Sequence, residues 1–176
     1  MEKLFKNIFI SFLFLMSTFS LSAQQMRLSS QYQIYINQYK DIAIEEMLKH
    51  KIPASITLAQ GLLESRAGLS DLTVSSNNHF GIKCNGGWTG PTTYHDDDAE
   101  GECFRAYGSA FESFEDHSRF LKKPRYSSLF SLDIKDYRGW AYGLKAAGYA
   151  TSSTYAEKLI NIIELYKLYQ YDSAKS

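Results

Sequence analysis

Proton-transfer chemistry is concentrated at two places in this chain. The first is Glu64, a single carboxylate near the end of residues 53–68, PASITLAQGLLESRAG. A carboxyl group in the last turn of a helix lies beside the negative end of the helix dipole, which opposes its ionisation. Partial burial among apolar neighbours pushes the same way, and the two together make an acid that keeps its proton near neutral pH. The same spacing also fits a surface glutamate near a helix end. The second place is HDDD, residues 95–98. Consecutive carboxylates suit a catalytic base, a calcium ion held by hard oxygen ligands, or an acidic turn that keeps a loop soluble. His79, His95 and His117 show no metal-ligand spacing and no HExxH occurs, so neither a metal nor a cofactor is assigned.

The elements that must hold these groups can be read from periodicity. Pro53 suits a first helical turn, Gly68 a helix stop, and Ile56, Ala59, Leu62 and Leu63 a buried stripe between them. Thr57, Gln60, Gly61 and Glu64 fall at i, i+3, i+4, i+7 on a second, polar or small face. A helix is expected over 31–49 before this stretch, and a short helical turn over 70–73 after it. Residues 80–107 are rich in turn signals. Thr92, Thr93 and Tyr94 face Cys103, Phe104 and Arg105 as two short strands with a tip inside 96–101, a β-hairpin. Ser109 with Glu112, and Thr154 with Glu157, read as capping boxes. The first opens a helix with the stripe Phe111, Phe114, His117, Phe120, Leu121, ended by Pro124. Further helices are expected over 134–147, closed by Gly148, and over 155–169 with Leu159, Ile162, Ile163 and Tyr166 inward. The fold class is α+β, mainly helical, in one domain.

Residues 1–23 stand apart. Lys3 and Lys6 precede an apolar run over 8–19, and Leu21-Ser22-Ala23 offers a cleavage site, the pattern of a secretory signal peptide. The run is short of the roughly 20 residues a membrane span needs, so no span is expected after cleavage. Removing Glu2, Lys3 and Lys6 takes the 19 basic and 19 acidic residues to 17 and 18, a net charge of −1. No basic stripe remains for nucleic acid. Aromatics make up 15% of the chain, with 13 tyrosines, which suits either sugar stacking or an aromatic core. In an exported protein the pair Cys84 and Cys103 reads as a disulfide across the hairpin segment, against two reduced thiols. Residues 24–50 form an N-terminal helical segment, 51–171 the main domain and 172–176 a tail.

AQGLLES (59–65), NNHFGIK (77–83), WTGP (88–91), FRAY (104–107), FESFEDH (111–117) and AAGYATSSTYAEKL (146–159) occur in this order. On these motifs the chain resembles the bacterial glucosaminidase domains of glycoside hydrolase family 73, across roughly residues 52–169. The resemblance implies a lysozyme-like fold, a helical lobe and a small β-hairpin lobe flanking a groove. It implies an exported enzyme of the periplasm or cell envelope, acting as a monomer on the glycan strands of peptidoglycan. The activity implied is an endo-β-N-acetylglucosaminidase with Glu64 as general acid. A muramidase-type cut and a non-catalytic peptidoglycan-binding module are the alternatives.

Glycosidases use a second carboxylate facing the first. The family pattern places it on the hairpin, an even number of residues after the Gly-Pro proline and an odd number before the Phe of Phe-Arg-x-Tyr. Counting from Pro91 and Phe104 gives His95 and Asp97, so Asp97 is expected, with Asp96 and Asp98 as alternatives if a bulge shifts the register. Tyr149 and Tyr155 match family tyrosines that line the groove, Tyr149 as a catalytic contact and Tyr155 as a substrate contact. Asn78 is a candidate contact to an N-acetyl group, Phe80 forms part of the same turn, and Trp88 either stacks on sugar or caps the β-lobe. The family's Gly-Trp after Glu-Ser is replaced here by Arg66-Ala67. Arg66 is therefore either a contact to a substrate carbonyl or carboxylate or a solvated cation.

Overall fold

The computed structural model describes residues 29–85, 87–96 and 99–173. The segment read as a signal peptide lies outside the described residues, as do Asp97 and Asp98. Helix α1 spans Ser30–His50, α2 Ala54–Glu64 and α3 Asp71–Ser76. Strands β1, Thr92–His95, and β2, Glu102–Arg105, form the hairpin. Helix α4, Ala110–Phe120, is followed by a 3-10 helix, Pro124–Ser131. Helices α5, Tyr137–Ala146, and α6, Tyr155–Leu165, lead to a last 3-10 helix, Leu168–Ser173. A helical lobe and a small antiparallel β-lobe result, the α+β arrangement expected. Among the described residues no helix is long and apolar enough to cross a membrane.

Helix α2 is the centre. It packs on α1, α5, α6 and the last 3-10 helix. Its burial is not a stripe: every residue from Ala54 to Leu62 is buried, Thr57, Gln60 and Gly61 included. Each aliphatic side chain sunk here stabilises the fold by about 2 kcal/mol relative to exposure. The approach of α1 depends on Gly61, where a Cβ would collide with the Tyr35 hydroxyl. The helix stops at Glu64 and does not run on to Gly68. The Ser65 hydroxyl bonds back to the Gly61 carbonyl, and Arg66 and Ala67 turn left-handed (φ 52° and 56°). At the other end the buried Asp172 carboxylate accepts from the Ser55 N–H at 2.8 Å and its hydroxyl at 2.6 Å. Asp172 therefore closes the N-terminus of α2 and is not part of a tail.

Other boundaries moved for local reasons. The apolar face of α4 starts at Phe114, and Phe111 is 47% exposed. Ser109 caps this helix, its hydroxyl accepting from the Glu112 N–H. Thr154 makes no side-chain cap at α6, so the second capping box does not form. Asp136 is the cap that starts α5, later than 134.

The hairpin pairs Thr92 with Arg105, Thr93 with Phe104, Tyr94 with Cys103 and His95 with Glu102. Its second strand is flanked on the other side by Lys83, which bridges to Phe104. The Cys84–Cys103 disulfide (Cα–Cα 5.5 Å) closes this edge as expected. Arg105 then ties the β-lobe to α4. Its guanidinium donates to both Asp116 oxygens, at 3.0 and 2.8 Å, and to the Asn85 carbonyl at 2.9 Å.

Candidate active site

Glu64 ends α2 because the chain turns sharply behind it. The Ser65 hydroxyl, besides bonding Gly61, accepts from the Gly68 N–H at 2.7 Å. Two successive L-residues in the left-handed region cost on the order of 1–3 kcal/mol each. This turn carries the Arg66 side chain to the same cleft as Glu64.

Behind Glu64 lies a directed chain of hydrogen bonds. The Tyr155 hydroxyl donates to Glu64 Oε1 at 2.9 Å. Gln60 Nε2 donates to the Tyr155 hydroxyl at 3.0 Å, and Gln60 Oε1 lies 3.1 Å from His117 Nε2. An amide oxygen only accepts, so His117 carries its proton on Nε2. Burial lowers the His117 pKa to about 3, which keeps the ring neutral. Its Nδ1 then has no partner among the described residues. The Phe80 ring stacks on this imidazole, centroids 3.9 Å apart. Tyr149 stacks on Tyr155 at 5.7 Å. Burial, followed by the neighbouring Tyr149 and Glu64, pushes the Tyr155 hydroxyl well above its ordinary range. Burial and then Glu64 do the same for Tyr149. Both stay protonated and able to donate.

The cleft has a volume of about 850 Å³. Glu64, Phe80 and Tyr149 stand on its helical side, and Phe104, His95 and Asp96 on the hairpin side. Strand alternation puts His95 on the face of Phe104, as the count of residues required, but the ladder ends at His95. Parity therefore carries no information one residue further. Asp96 lies in the wall, its Oδ1 accepting from the Gly101 N–H at 2.7 Å. Glu102, opposite His95, pairs with Lys83 at 2.9 Å.

Three residues expected at the substrate have other duties. Tyr155 is buried and absent from the cleft lining, its hydroxyl held between Gln60 and Glu64. Asn78 is buried, and its amide donates to the carbonyls of Ile82 (3.0 Å) and Arg105 (2.8 Å) while accepting from the Ile82 N–H (3.1 Å). Its polar atoms are spent holding the turn to the β-lobe. Trp88 donates to the Pro91 carbonyl at 2.9 Å and covers the Arg105 guanidinium at 4.6 Å, so it caps the β-lobe and is absent from the cleft lining. Conversely, the sequence pattern gives Gln60 and His117 no role at the site, and the fold places both behind Glu64. The available signal was Gln60 one turn before Glu64 on the same face.

Among the described residues, Glu46, His50 and Glu115 bring potential metal-ligand atoms within 4.8 Å of one another. They do not line the cleft, and Lys49 and Arg119 pair with Glu115. They tie α1 to α4.

The family model described as mannosyl-glycoprotein endo-beta-N-acetylglucosaminidase matches residues 40–168. Exo-glucosaminidase LytG of Bacillus subtilis is 34% identical over 152 residues, 80% of this chain and 53% of that protein. Peptidoglycan hydrolase FlgJ of Vibrio parahaemolyticus is 34% identical over 140 residues, 73% of this chain and 45% of that protein. The chain thus spans about half the length of the curated relatives it matches. Among solved structures, the catalytic domain of the autolysin Auto from Listeria monocytogenes has a TM-score of 0.68 at 29% identity, over 89% of this chain and 96% of that one. The glycoside hydrolase domain of FlgJ from Salmonella typhimurium has a TM-score of 0.63 at 27% identity, over 77% of this chain and 88% of that one. With the family model running from α1 to the last 3-10 helix, and Glu64 and Tyr155 inside the match, the chain belongs to the glucosaminidase family, glycoside hydrolase family 73.

Proposed function

We propose that this protein is an exported peptidoglycan hydrolase, an endo-β-N-acetylglucosaminidase that cuts the β-1,4 bond after N-acetylglucosamine. The observation that carries the reading is the hydrogen bond from Tyr155 to Glu64 in the wall of a cleft closed on its other side by the hairpin. In this reading Glu64 protonates the leaving glycosidic oxygen, and Tyr155 holds its carboxyl group in one orientation. The second carboxylate comes from the hairpin. Asp97 is the first choice and Asp98 an alternative; Asp96 gains support from its place in the cleft wall. It activates water, attacks directly or orients the substrate's acetamido group; the distance between the carboxylates sets the stereochemical outcome. Tyr149 offers its hydroxyl to substrate or water, and Phe80 and Arg66 contact the glycan. The signal peptide 1–23 delivers the protein to the periplasm or cell envelope, which N-terminal sequencing of the exported form checks.

The test is turbidity loss on purified peptidoglycan. Wild type clears it, Glu64→Gln lowers the rate at least about 100-fold, the scale of a lost proton transfer, and Asp97→Asn or Asp96→Asn identifies the partner. Full activity in Glu64→Gln overturns the mechanism. New reducing ends on N-acetylmuramic acid assign the enzyme as a muramidase instead. The name of LytG makes an exo mode the second reading. Release of single disaccharide units from the first minute supports that mode, and long fragments support the endo cut. Binding to sacculi without clearance leaves the non-catalytic module.

A further inference from the structure

The chain carries equal numbers of basic and acidic residues, yet the described residues that line its cleft do not. Arg66, Lys83, Lys123 and Arg125 line it, against Glu64 and Asp96 among the described residues. Lys83 is neutralised by Glu102. The other three have no carboxylate within ion-pair reach among the described residues. Lys123 and Arg125 share one aromatic platform: the ammonium lies 4.2 Å from the Phe120 ring centre and the guanidinium 5.6 Å. Phe120 meets Tyr149 edge-on at 6.1 Å, and Tyr149 stacks on Tyr155, which holds Glu64. The paired cations therefore stand two aromatic contacts from the acid, with their charged heads over one ring. Partial burial, then the neighbouring Arg105 and Arg125, pull the Lys123 pKa below its ordinary value, against an opposing pull from Asp116.

A glycan without acidic groups gains nothing from these cations, and a strand bearing carboxylates does. Resting on the reading that the cleft takes peptidoglycan, we propose that Arg66, Lys123 and Arg125 form an anion subsite for the carboxylates of the peptide attached to the glycan strand. The cleft then selects strands with free carboxylates over strands in which these groups are blocked. Phosphodiesters of attached wall polymers present the same chemistry, and the test separates the two sources.

Full-length wild type and the Lys123→Gln/Arg125→Gln double variant are assayed on three substrates. These are native sacculi, sacculi whose carboxylates are amidated with carbodiimide and ammonia, and sacculi stripped of phosphodiesters with hydrofluoric acid. Cosedimentation of Glu64→Gln with each substrate reads binding without turnover. Amidation is expected to raise KM about five- to ten-fold, the size of two or three partly exposed charge contacts, with kcat less affected. Acid stripping changes nothing. The double variant loses the discrimination between native and amidated sacculi, and Lys123→Arg/Arg125→Lys restores it, which excludes a folding defect. Equal KM and equal binding on native and amidated sacculi overturn the subsite while leaving the hydrolase intact. Loss of affinity on acid stripping alone reassigns the anion to phosphate and overturns the carboxylate assignment. Absence of hydrolysis on all three substrates, with Glu64→Gln still binding the native form preferentially, overturns the enzymatic reading and supports the subsite. Absence of both overturns both.

Discussion

Tyr155 joins two hydrogen bonds that run in one direction, from Gln60 and into Glu64. Its phenol cannot ionise at working pH, because burial and the adjacent carboxylate both oppose a second negative charge. It therefore acts as a fixed donor that orients Glu64. Replacing it with Phe keeps the ring stacked on Tyr149 and removes only the hydroxyl. In the proposed mechanism Tyr155→Phe should lower kcat on peptidoglycan by about 100-fold, the cost of a misaligned catalytic group, with KM little changed. A loss confined to KM would show instead that Tyr155 binds substrate. Glu64 was legible as a candidate because a lone carboxylate at a helix end with a polar face is a local pattern. The relay behind it was not, since Gln60 and His117 are 57 residues apart and Gln60 and Tyr155 are 95 apart.

At the scale of elements, two joints hold the lobes in place. The first is the crossing of α1 and α2 at Gly61, where the Tyr35 hydroxyl occupies the space of a side chain and bonds His79 Nδ1 at 3.0 Å. Gly61→Ala should destabilise the fold by about 1–3 kcal/mol, the cost of overpacking, read as a lower denaturant midpoint. An unchanged midpoint would mean that Tyr35 moves aside without loss. The second joint is the disulfide at the edge of the β-lobe. Its half-cystines are 19 residues apart, so replacing both with Ser should cost about 3 kcal/mol by the loop-entropy relation. The same variant should leave the far end of α2 intact by hydrogen exchange, since Asp172 closes that end independently. The hairpin was readable from Gly-Gly, Gly-Pro and the flanking strands. The third rung through Lys83 was not, because one isolated bridge leaves no periodic trace.

For the whole molecule, buried titratable groups set the response to acid. Burial lowers His79 to a pKa of about 4 and His117 to about 3, both below the ordinary histidine value. The folded state then binds fewer protons than the unfolded state between those values and about 6.5. The stability these histidines contribute is complete above that range and is lost as the pH falls through it. Asp172 works in the opposite sense. Burial raises it from 3.8 to about 6, so its contribution is complete below 3.8 and is lost as the pH rises through about 6. The two histidine shifts together exceed that of Asp172. The melting temperature should therefore fall from pH 6.5 to pH 4, and Asp172→Asn should make the fall steeper. A melting temperature that is flat or rises towards pH 4 in wild type would overturn the account of the buried histidines.

The sequence by itself determined the helical elements, the hairpin, the disulfide pair and the family, because caps, turn residues and ordered motifs are local or nearly so. It also singled out Glu64. Tertiary structure alone decided what the polar residues around it do. Asn78 and Trp88 carry the type and position of sugar contacts, and packing turns both towards the backbone and Arg105 of the β-lobe. Lys123 and Arg125 follow the end of α4 as ordinary surface cations would, and only the fold brings them to the cleft that holds Glu64. The physical reason is the same in each case. A buried or cleft-facing polar group takes its role from the partners that surround it, and those partners come from segments far away in the chain.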